Sequence, residues 1–552
     1  MALPVWVVLA TLIVAEWIVV GSVAAINQHN GFLFYNGGDD TWYYTSGWVL
    51  SHGHIPDASV GYGLPFLLAP IARFAGPNLL NGIPYVIGLN VLVLWPIAIC
   101  SIYGIAKLIA GRGYAYLTTL VWTVLPVAAI PYFYERYHFR YIDIVLAPSL
   151  GLTALADFPS IVCLLVAGYF ALRAVTLRQT PDGLFVGLAA GLAIAMKPSN
   201  AIFLPAPLAA FLVARYGRGL LELAVGLAPT LIALALWKYR GLGYLPLIQH
   251  AEAVAALGRF PAVPLAGLDF HHYLPLDRHQ LHDNISYIRE FVWSLRLLDW
   301  IIFAGAIGLA RRSGAAAVLI LTWLMSYVIL KGSSPVVSVK AGSFFRYVAP
   351  AFPAFFMLGA SIPLLIPNWG SRRTSAGRAT TPWPTSRLAW TRLIRIASVL
   401  AAVPIVALLV LSPLTTARAA QLPVLDQYVP ANTFTLSLKV EPNGIVHLSW
   451  PRQRAGSARV SYVIFRMPDG KSPPDGLLCT PRAHSGSPCA FYSDTRNSLL
   501  VPTARTFSTS LLDYPPEGHW TYRVALRASE SKHAASGDLL MLSTARSVYI
   551  PK

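Results

Sequence analysis

Charge is scarce in this chain, and acid is scarcest. Of 552 residues only 12% are Asp, Glu, Lys or Arg, and 24 acids stand against 42 basic residues. Soluble domains hold about 25% charged residues. So little charge, beside 55% hydrophobic residues, excludes an ordinary soluble fold. Apolar runs of about 18 residues or more recur through most of the sequence, the length a helix needs to cross a bilayer. The chain reads as a polytopic α-helical membrane protein. The net charge of +18 would point a soluble protein toward nucleic acid. Here the base gathers in short loops between apolar runs, where topology and anionic lipid account for it, and nucleic acid is excluded as a partner. Cysteine is nearly missing too. Cys100 and Cys163 fall inside apolar runs, as inert buried thiols do. Cys479 and Cys489 lie close together in a polar, Pro-rich stretch, where an oxidising compartment would join them as a disulfide. No Lys or Arg precedes the first apolar run, so the basic start of a signal peptide is missing and a retained helix is expected.

About eleven spans are expected. The first covers Leu3 to Ala25 and contains Glu16, which should face other helices rather than lipid. A long first loop follows, from Asn27 to about Pro84. Within it Leu64–Ala72 is apolar but too short and proline-broken to span, so it should lie on the membrane surface. Further spans are expected near Ile83–Ala106, Tyr114–Pro131, Phe158–Val175, Leu184–Met196, Ala201–Ala214, Leu220–Trp237, Leu297–Ala310, Ala315–Leu330, Val348–Pro367 and Leu393–Leu414. Tyr141–Ala156 fits a re-entrant or interfacial piece, or a tilted span.

Acid is missing from one set of connections, and that absence orients the chain. Lys107 with Arg112, Arg173 with Arg178, Arg215 with Arg218, Arg311 with Arg312, and the Arg-rich stretch Arg372–Arg395 alternate along the sequence and read as cytoplasmic. The first loop, the connection carrying Glu135 and Asp157, and the C-terminus then face outward across a plasma (inner) membrane. From about Ala431 the pattern changes to alternating strands at Thr433–Val440, Ile445–Trp450, Val460–Arg466, Trp520–Ala528 and Leu539–Ile550. The chain divides into a membrane part (1–415), a linker (416–430) and an extracytoplasmic all-β sandwich (431–552).

Two adjacent carboxylates, Asp39 and Asp40, sit after Gly37-Gly38 at a membrane boundary, followed by Thr41-Trp42-Tyr43-Tyr44. Carboxylates beside lipid are expensive and mark function; the plain alternative is a solvated turn in which one of them caps the next helix. His271, His272, His279 and His282 with Asp269, Asp277 and Asp283 invite a metal reading, but a tight His-Glu-x-x-His pair is missing. A solvated outer loop touching substrate, with amphipathic pieces that lid a cavity, is the expectation there.

Asp39-Asp40-Thr41-Trp42-Tyr43, continuing through Gly47, Leu50 and Gly53 to Pro56, resembles the Asp-Glu-x-x-Tyr-x-x-x-Ala-x-x-Leu-x-x-Gly-x-x-Pro pattern of lipid-dependent glycosyltransferases of the GT-C fold. That group includes protein O-mannosyltransferases and aminoarabinose transferases. Asp40 replaces Glu and Gly47 replaces Ala. Tyr62–Leu67 with Gly76-Pro77-Asn78, Asp157-Phe158-Pro159, Gly187–Lys197-Pro198 and Arg346-Tyr347-Val348-Ala349-Pro350 resemble later motifs in the same order. The resemblance implies Asp39 as general base, with Asp40 orienting the acceptor, positioning the loop or sharing a metal, and Asp157 as a second acid unless it merely caps its helix. Lys197, Arg346 and Tyr347 would hold the donor phosphate, the plain alternative for the two cations being snorkelling at the interface. Glu135, Tyr43, His271 and His272 would line the acceptor side, although Glu135 with Arg136, His138 and Arg140 also fits an outer-loop ion-pair cluster. Cofactors are left open, because metal-using and metal-independent branches share the acidic loop. In the tail, Leu448-Ser449-Trp450, Tyr462–Arg466 and Pro515–Val524, with Tyr522 as the corner tyrosine, resemble a fibronectin type III domain.

The reading is an inverting transferase that moves a sugar from a polyprenyl phosphate to a glycan, lipid or protein. Its rival is a non-catalytic lipid-linked-sugar transporter or envelope scaffold. Internal repeats and mid-bilayer charges, which a transporter should show, are missing apart from Glu16.

Overall fold

The computed structural model describes residues 4–22, 39–56, 58, 60–76, 79–132, 141–178, 181–242, 245, 249–251, 262–264, 276–291, 295–335, 337–340, 343–366, 387–413, 434–441, 445–453, 459–468, 502–506, 509–513, 515, 518–529 and 539–550. Of the residues singled out above, Gly37, Gly38, Pro77, Asn78, Glu135, Arg136, His138, Arg140, Asp269, His271, His272, Arg372, Cys479 and Cys489 lie outside them, as does the linker 416–430.

The helices are α1 (Val5–Ser22), α2 (Asp39–Ser51), α3 (Gly63–Ala75), α4 (Leu79–Leu89), α5 (Trp95–Ala128), α6 (Asp157–Leu177), α7 (Asp182–Met196), α8 (Pro205–Val213), α9 (Gly217–Leu242), α10 (Arg278–Phe291), α11 (Leu295–Ala310), α12 (Gly314–Gly332), α13 (Ser343–Val348), α14 (Phe352–Ala360) and α15 (Arg387–Val410). Among the described residues, six stretches are long and apolar enough to cross a bilayer, namely Gly82–Ala128, Asp157–Leu177, Gly217–Gly241, Gly314–Gly332, Ser343–Leu365 and Thr391–Val410. That is the make-up of a multi-pass membrane protein. Gly82–Ala128 takes in two expected spans, which meet at a break where Ala110 and Gly111 leave helical geometry and Gly111 adopts φ +81°. The apolar pieces Val5–Val19, Asp182–Met196, Pro198–Val213 and Asp299–Ala310 are shorter than expected for spans.

Glu16 lies on the face of α1 that carries the buried Ile13 and Trp17, and its Oε2 is buried. The expected surface segment is α3, which continues through Pro70 with Leu64, Leu68 and Ala72 buried on one side. Tyr141–Ala156 forms neither a span nor a surface helix. It is a π-helical turn (Tyr141–Leu146), one α-turn (Ala147–Ser149) and a buried irregular run into Asp157. Asn90 Nδ2 donates to the Gly151 carbonyl at 2.6 Å and Trp95 Nε1 to that of Leu150 at 2.9 Å. Non-helical backbone at membrane depth needs such partners, because lipid offers none.

The hairpin α6–α7 anchors the bundle and is tied at both ends. At its turn Arg173 Nε lies 3.2 Å from Asp182 Oδ2, both fully buried. Arg173 is therefore not a loop residue but a buried helical one. At its open end Lys197 Nζ donates to Asp157 Oδ1 at 2.6 Å. Helix α9 packs on α7 through small residues. A Cβ at Gly187 would overlap the Leu223 carbonyl oxygen, and one at Gly226 that of Leu184. Backbones this close maximise dispersion contacts, which drive helix association in lipid.

The loop between α2 and α3 closes over one end of this core. Trp237 Nε1, near the end of α9, donates to the Val60 carbonyl at 2.8 Å, and Lys238 Nζ donates to those of Ala58 and Val60. Arg240 Nη1 reaches the Leu408 carbonyl of α15 at 2.6 Å. Strand β1 (His54–Ile55) pairs in parallel with β4 (Ser412–Pro413). Two further short strands, β2 (Gln249–Ala251) and β3 (Ala262–Pro264), form a hairpin.

The tail has two antiparallel sheets. One holds β5 (Ser437–Val440), β6 (Val446–Ser449) and β9 (Ser510–Asp513); the other holds β7 (Arg459–Pro468), β8 (Pro502–Thr506), β10 (Gly518–Ser529), β11 (Leu539–Leu542) and β12 (Arg546–Ile550). Leu448 and Trp450 from the first sheet and Tyr462, Ile464, Tyr522 and Val524 from the second share one buried cluster. The period of two at 462/464 and 522/524 is what a half-buried strand produces.

Candidate active site

Helix ends build the site. Asp39 and Asp40 form the first turn of α2, and Asp157 opens α6. Both positions sit at the positive end of a helix dipole, where a carboxylate is stabilised. Lys197 follows the last turn of α7, Lys331 occupies the last turn of α12 and Arg346 that of α13. Those are the negative ends, which favour cations.

The structure brings four of the expected residues into one cluster. Arg346 Nη2 donates to Asp39 Oδ2, and its Nε lies 3.5 Å from Asp157 Oδ2. The other oxygen of Asp157 takes Lys197 at 2.6 Å. Asp157 therefore does not act as a helix cap: Ala156 holds the cap position, and the carboxylate joins two cations. The two acids differ in access. The Asp39 side chain is 41% exposed, that of Asp157 only 1%. A molecule arriving from solvent can reach Asp39, whereas Asp157 is enclosed by the cations it holds.

Tyr43 and Tyr347 complete the cluster. Tyr43 is buried, and its hydroxyl donates to the Met196 carbonyl at 3.5 Å. Burial, then the nearby Asp39 carboxylate, pushes its pKa well above the usual tyrosine value, so it stays a neutral donor. Lys197 Nζ lies over the Tyr347 ring, 5.3 Å from its centroid, a cation–π contact. Asp40 is fully buried in the first turn of α2. Close packing holds the α2–α3 loop against α7: a Cβ at Gly61 would overlap the Ala195 carbonyl oxygen at the end of α7.

Lys331 was not singled out from the sequence. Its Nζ lies over the same Tyr347 ring at 5.5 Å. A lysine ending an apolar run reads as a snorkelling residue, so only the fold brings it to notice. Tyr327, one turn earlier on α12, donates to Asn200 Oδ1 at 2.8 Å, binding that helix end to the turn after Lys197.

The histidine-rich loop behaves differently. Asp277 Oδ1 accepts from the backbone N–H of His279 at 2.8 Å and of Gln280 at 3.2 Å, so it caps α10. His279 and His282 are exposed on that helix. Among the described residues no group of three or more His, Cys, Asp or Glu side chains is placed to hold a metal. Asn284, buried on the other face of α10, fastens the helix to the end of α12 by donating to the Gly332 and Val337 carbonyls at 2.8 and 2.9 Å.

No family model matches the chain, and no curated protein matches it. Solved structures do match. One is the archaeal oligosaccharyltransferase AglB from Archaeoglobus fulgidus in complex with an inhibitory peptide and a dolichol-phosphate, at 13% identity and a TM-score of 0.35. The match covers 75% of this chain and 55% of that one, so the chain spans little more than half the length of that protein.

Proposed function

We propose that this protein is an inverting glycosyltransferase of the GT-C type that moves a sugar from a polyprenyl phosphate to an acceptor on the outer side of a plasma (inner) membrane. One observation carries the reading. Acids and cations spread between residues 39 and 346 meet at one end of the bundle, with one carboxylate open and the other enclosed.

Inversion requires a base on the face of the sugar opposite the leaving phosphate. Asp39, the open carboxylate, takes the acceptor's proton as the new glycosidic bond forms. The bond to the donor phosphate breaks at the same time, and the electron pair leaves on the phosphate oxygen, where cations stabilise the growing charge. Asp157 orients Lys197 and Arg346 and does not touch the acceptor. Buried Asp40 positions α2. Tyr43 and Tyr347 wall the site, and Glu135, His271 and His272 belong to the acceptor side. The two-sheet tail is read as a β-sandwich of the fibronectin type III kind that binds or spaces the enzyme in the cell envelope, with Cys479 and Cys489 joined.

Asp39→Asn tests the base. Incubated with a radiolabelled polyprenyl-phosphate sugar and a cell-envelope extract as acceptor, the wild type should transfer label and the variant should not, while inserting and folding normally. A folded Asp39→Asn protein with full transfer would remove the base and with it this mechanism.

A further inference from the structure

The proposed mechanism leaves the donor phosphate short of cations. Lys197 and Arg346, the residues expected to bind it, are both held by carboxylates in this structure. Two acids and two cations make that group neutral, and a neutral group has no net pull on an incoming anion. Lys331 changes the balance. Among the described residues it has no carboxylate partner; its contact is the Tyr347 ring, beside which Arg346 is the next residue in the chain. It is half-buried, so its charge is screened less than that of a surface lysine. The C-terminal end of α12 helps to hold an ammonium there.

We infer that Lys331 is the primary phosphate-binding residue of this site, its ammonium receiving the phosphate of a polyprenyl-phosphate donor over the Tyr347 ring. This rests on the glycosyltransferase reading and extends it by naming a residue. The Lys331 ammonium, held by no carboxylate among the described residues, draws the phosphate in, and Lys197 and Arg346 remain as positioning residues held by Asp157. As the glycosidic bond breaks, the phosphate passes from a diester with one negative charge to a monoester with more, so the contact with Lys331 strengthens toward the transition state.

Binding, measured without turnover, tests the assignment. Full-length protein in nanodiscs would be titrated with a long-chain polyprenyl phosphate, with the uncharged polyprenol, and with phosphatidylglycerol as an ordinary anionic lipid. The wild type should prefer the polyprenyl phosphate. Lys331→Gln should weaken its binding by about tenfold or more, the usual worth of a charge-assisted hydrogen bond, with polyprenol binding unchanged. Lys331→Arg should restore most of the loss, and Lys340→Gln, a lysine over the Tyr287 ring on α10, should match the wild type. Should Lys331→Gln not be recovered folded, Lys331→Met keeps the apolar stem and serves in its place. Unchanged polyprenyl-phosphate binding in a folded Lys331 variant overturns the assignment and leaves the glycosyltransferase reading standing. Equal losses for polyprenyl phosphate and phosphatidylglycerol overturn it too, by making Lys331 a general headgroup anchor. A wild type that binds no polyprenyl phosphate overturns both.

Discussion

At the scale of single residues, Asp39 and Asp157 have similar partners and opposite surroundings, and that contrast predicts different losses. Removing the charge of Asp157 leaves Lys197 and Arg346 partly buried beside a neutral amide. Breaking a buried pair this way costs about 3–5 kcal/mol. Asp39 is 41% exposed, and its pair with Arg346 belongs with solvent-screened contacts worth about 1 kcal/mol or less. Thermal unfolding in detergent should therefore show a large drop for Asp157→Asn and a small one for Asp39→Asn; the reverse order would mean that Asp39 is the structural acid. Asp157, Lys197 and Arg346 were legible in the sequence because each stands at the end of an apolar run, where charge is conspicuous, and Asp39 because it opens an adjacent acid pair after two glycines. Their pairing was not. Arg346 and Asp39 are 307 residues apart, and no local pattern encodes a contact over that distance. The sequence reading divided these residues between base and phosphate binding, whereas the fold joins them. Lys331 escaped because its surroundings in sequence are those of any lysine closing a span.

At the scale of elements, apolar periodicity located the long helices and placed most of their ends within a few residues. It failed where geometry depends on neighbours. The two spans expected before and after Ala110-Gly111 are there, meeting at that break, but the run after Tyr141 is ambiguous in the sequence because it is held by Asn90 and Trp95 from another helix. Strands β8 and β9 were missed: Pro502-Thr503-Ala504-Arg505-Thr506 has no apolar alternation and is placed by pairing with β7. The glycines of α7 were noticed as a motif, and the structure supplies their physical reason in the seam with α9. Gly187→Val should push α9 away and, because α7 carries Lys197 at its end, displace the cation from Asp157 as well. The strain belongs to the overpacking class, about 1–3 kcal/mol or more where backbone must move. A lowered unfolding temperature together with weakened polyprenyl-phosphate binding is the expected pair of results. Lost stability with normal binding would show that the seam and the site are not mechanically linked.

At the scale of the whole molecule, the helix ends sort into two faces. One face gathers Asp39, Asp157, Lys197, the end of α9 at Lys238 and Arg240, the end of α12 at Lys331, and β4 beyond α15. Since α12 runs 19 residues, its start at Gly314 lies about 28 Å away at the other face. Residues 414–433 contain no apolar run long enough to cross a bilayer, so the tail is expected on the same side as the site. Single cysteines in a background with the four native ones changed to Ser make this measurable. His52→Cys just after α2 and Lys439→Cys on β5, both exposed positions, should react with a membrane-impermeant maleimide from the same side. Arg311→Cys, at the turn before α12, should react only from the opposite side. In intact cells the first two should be labelled and the third protected, as an outward-facing site requires. Labelling of all three from one side would break the assignment of helix ends on which the proposed site depends. Labelling of positions 52 and 439 only after the membrane is opened would keep that arrangement while placing the sugar donor in the inner leaflet.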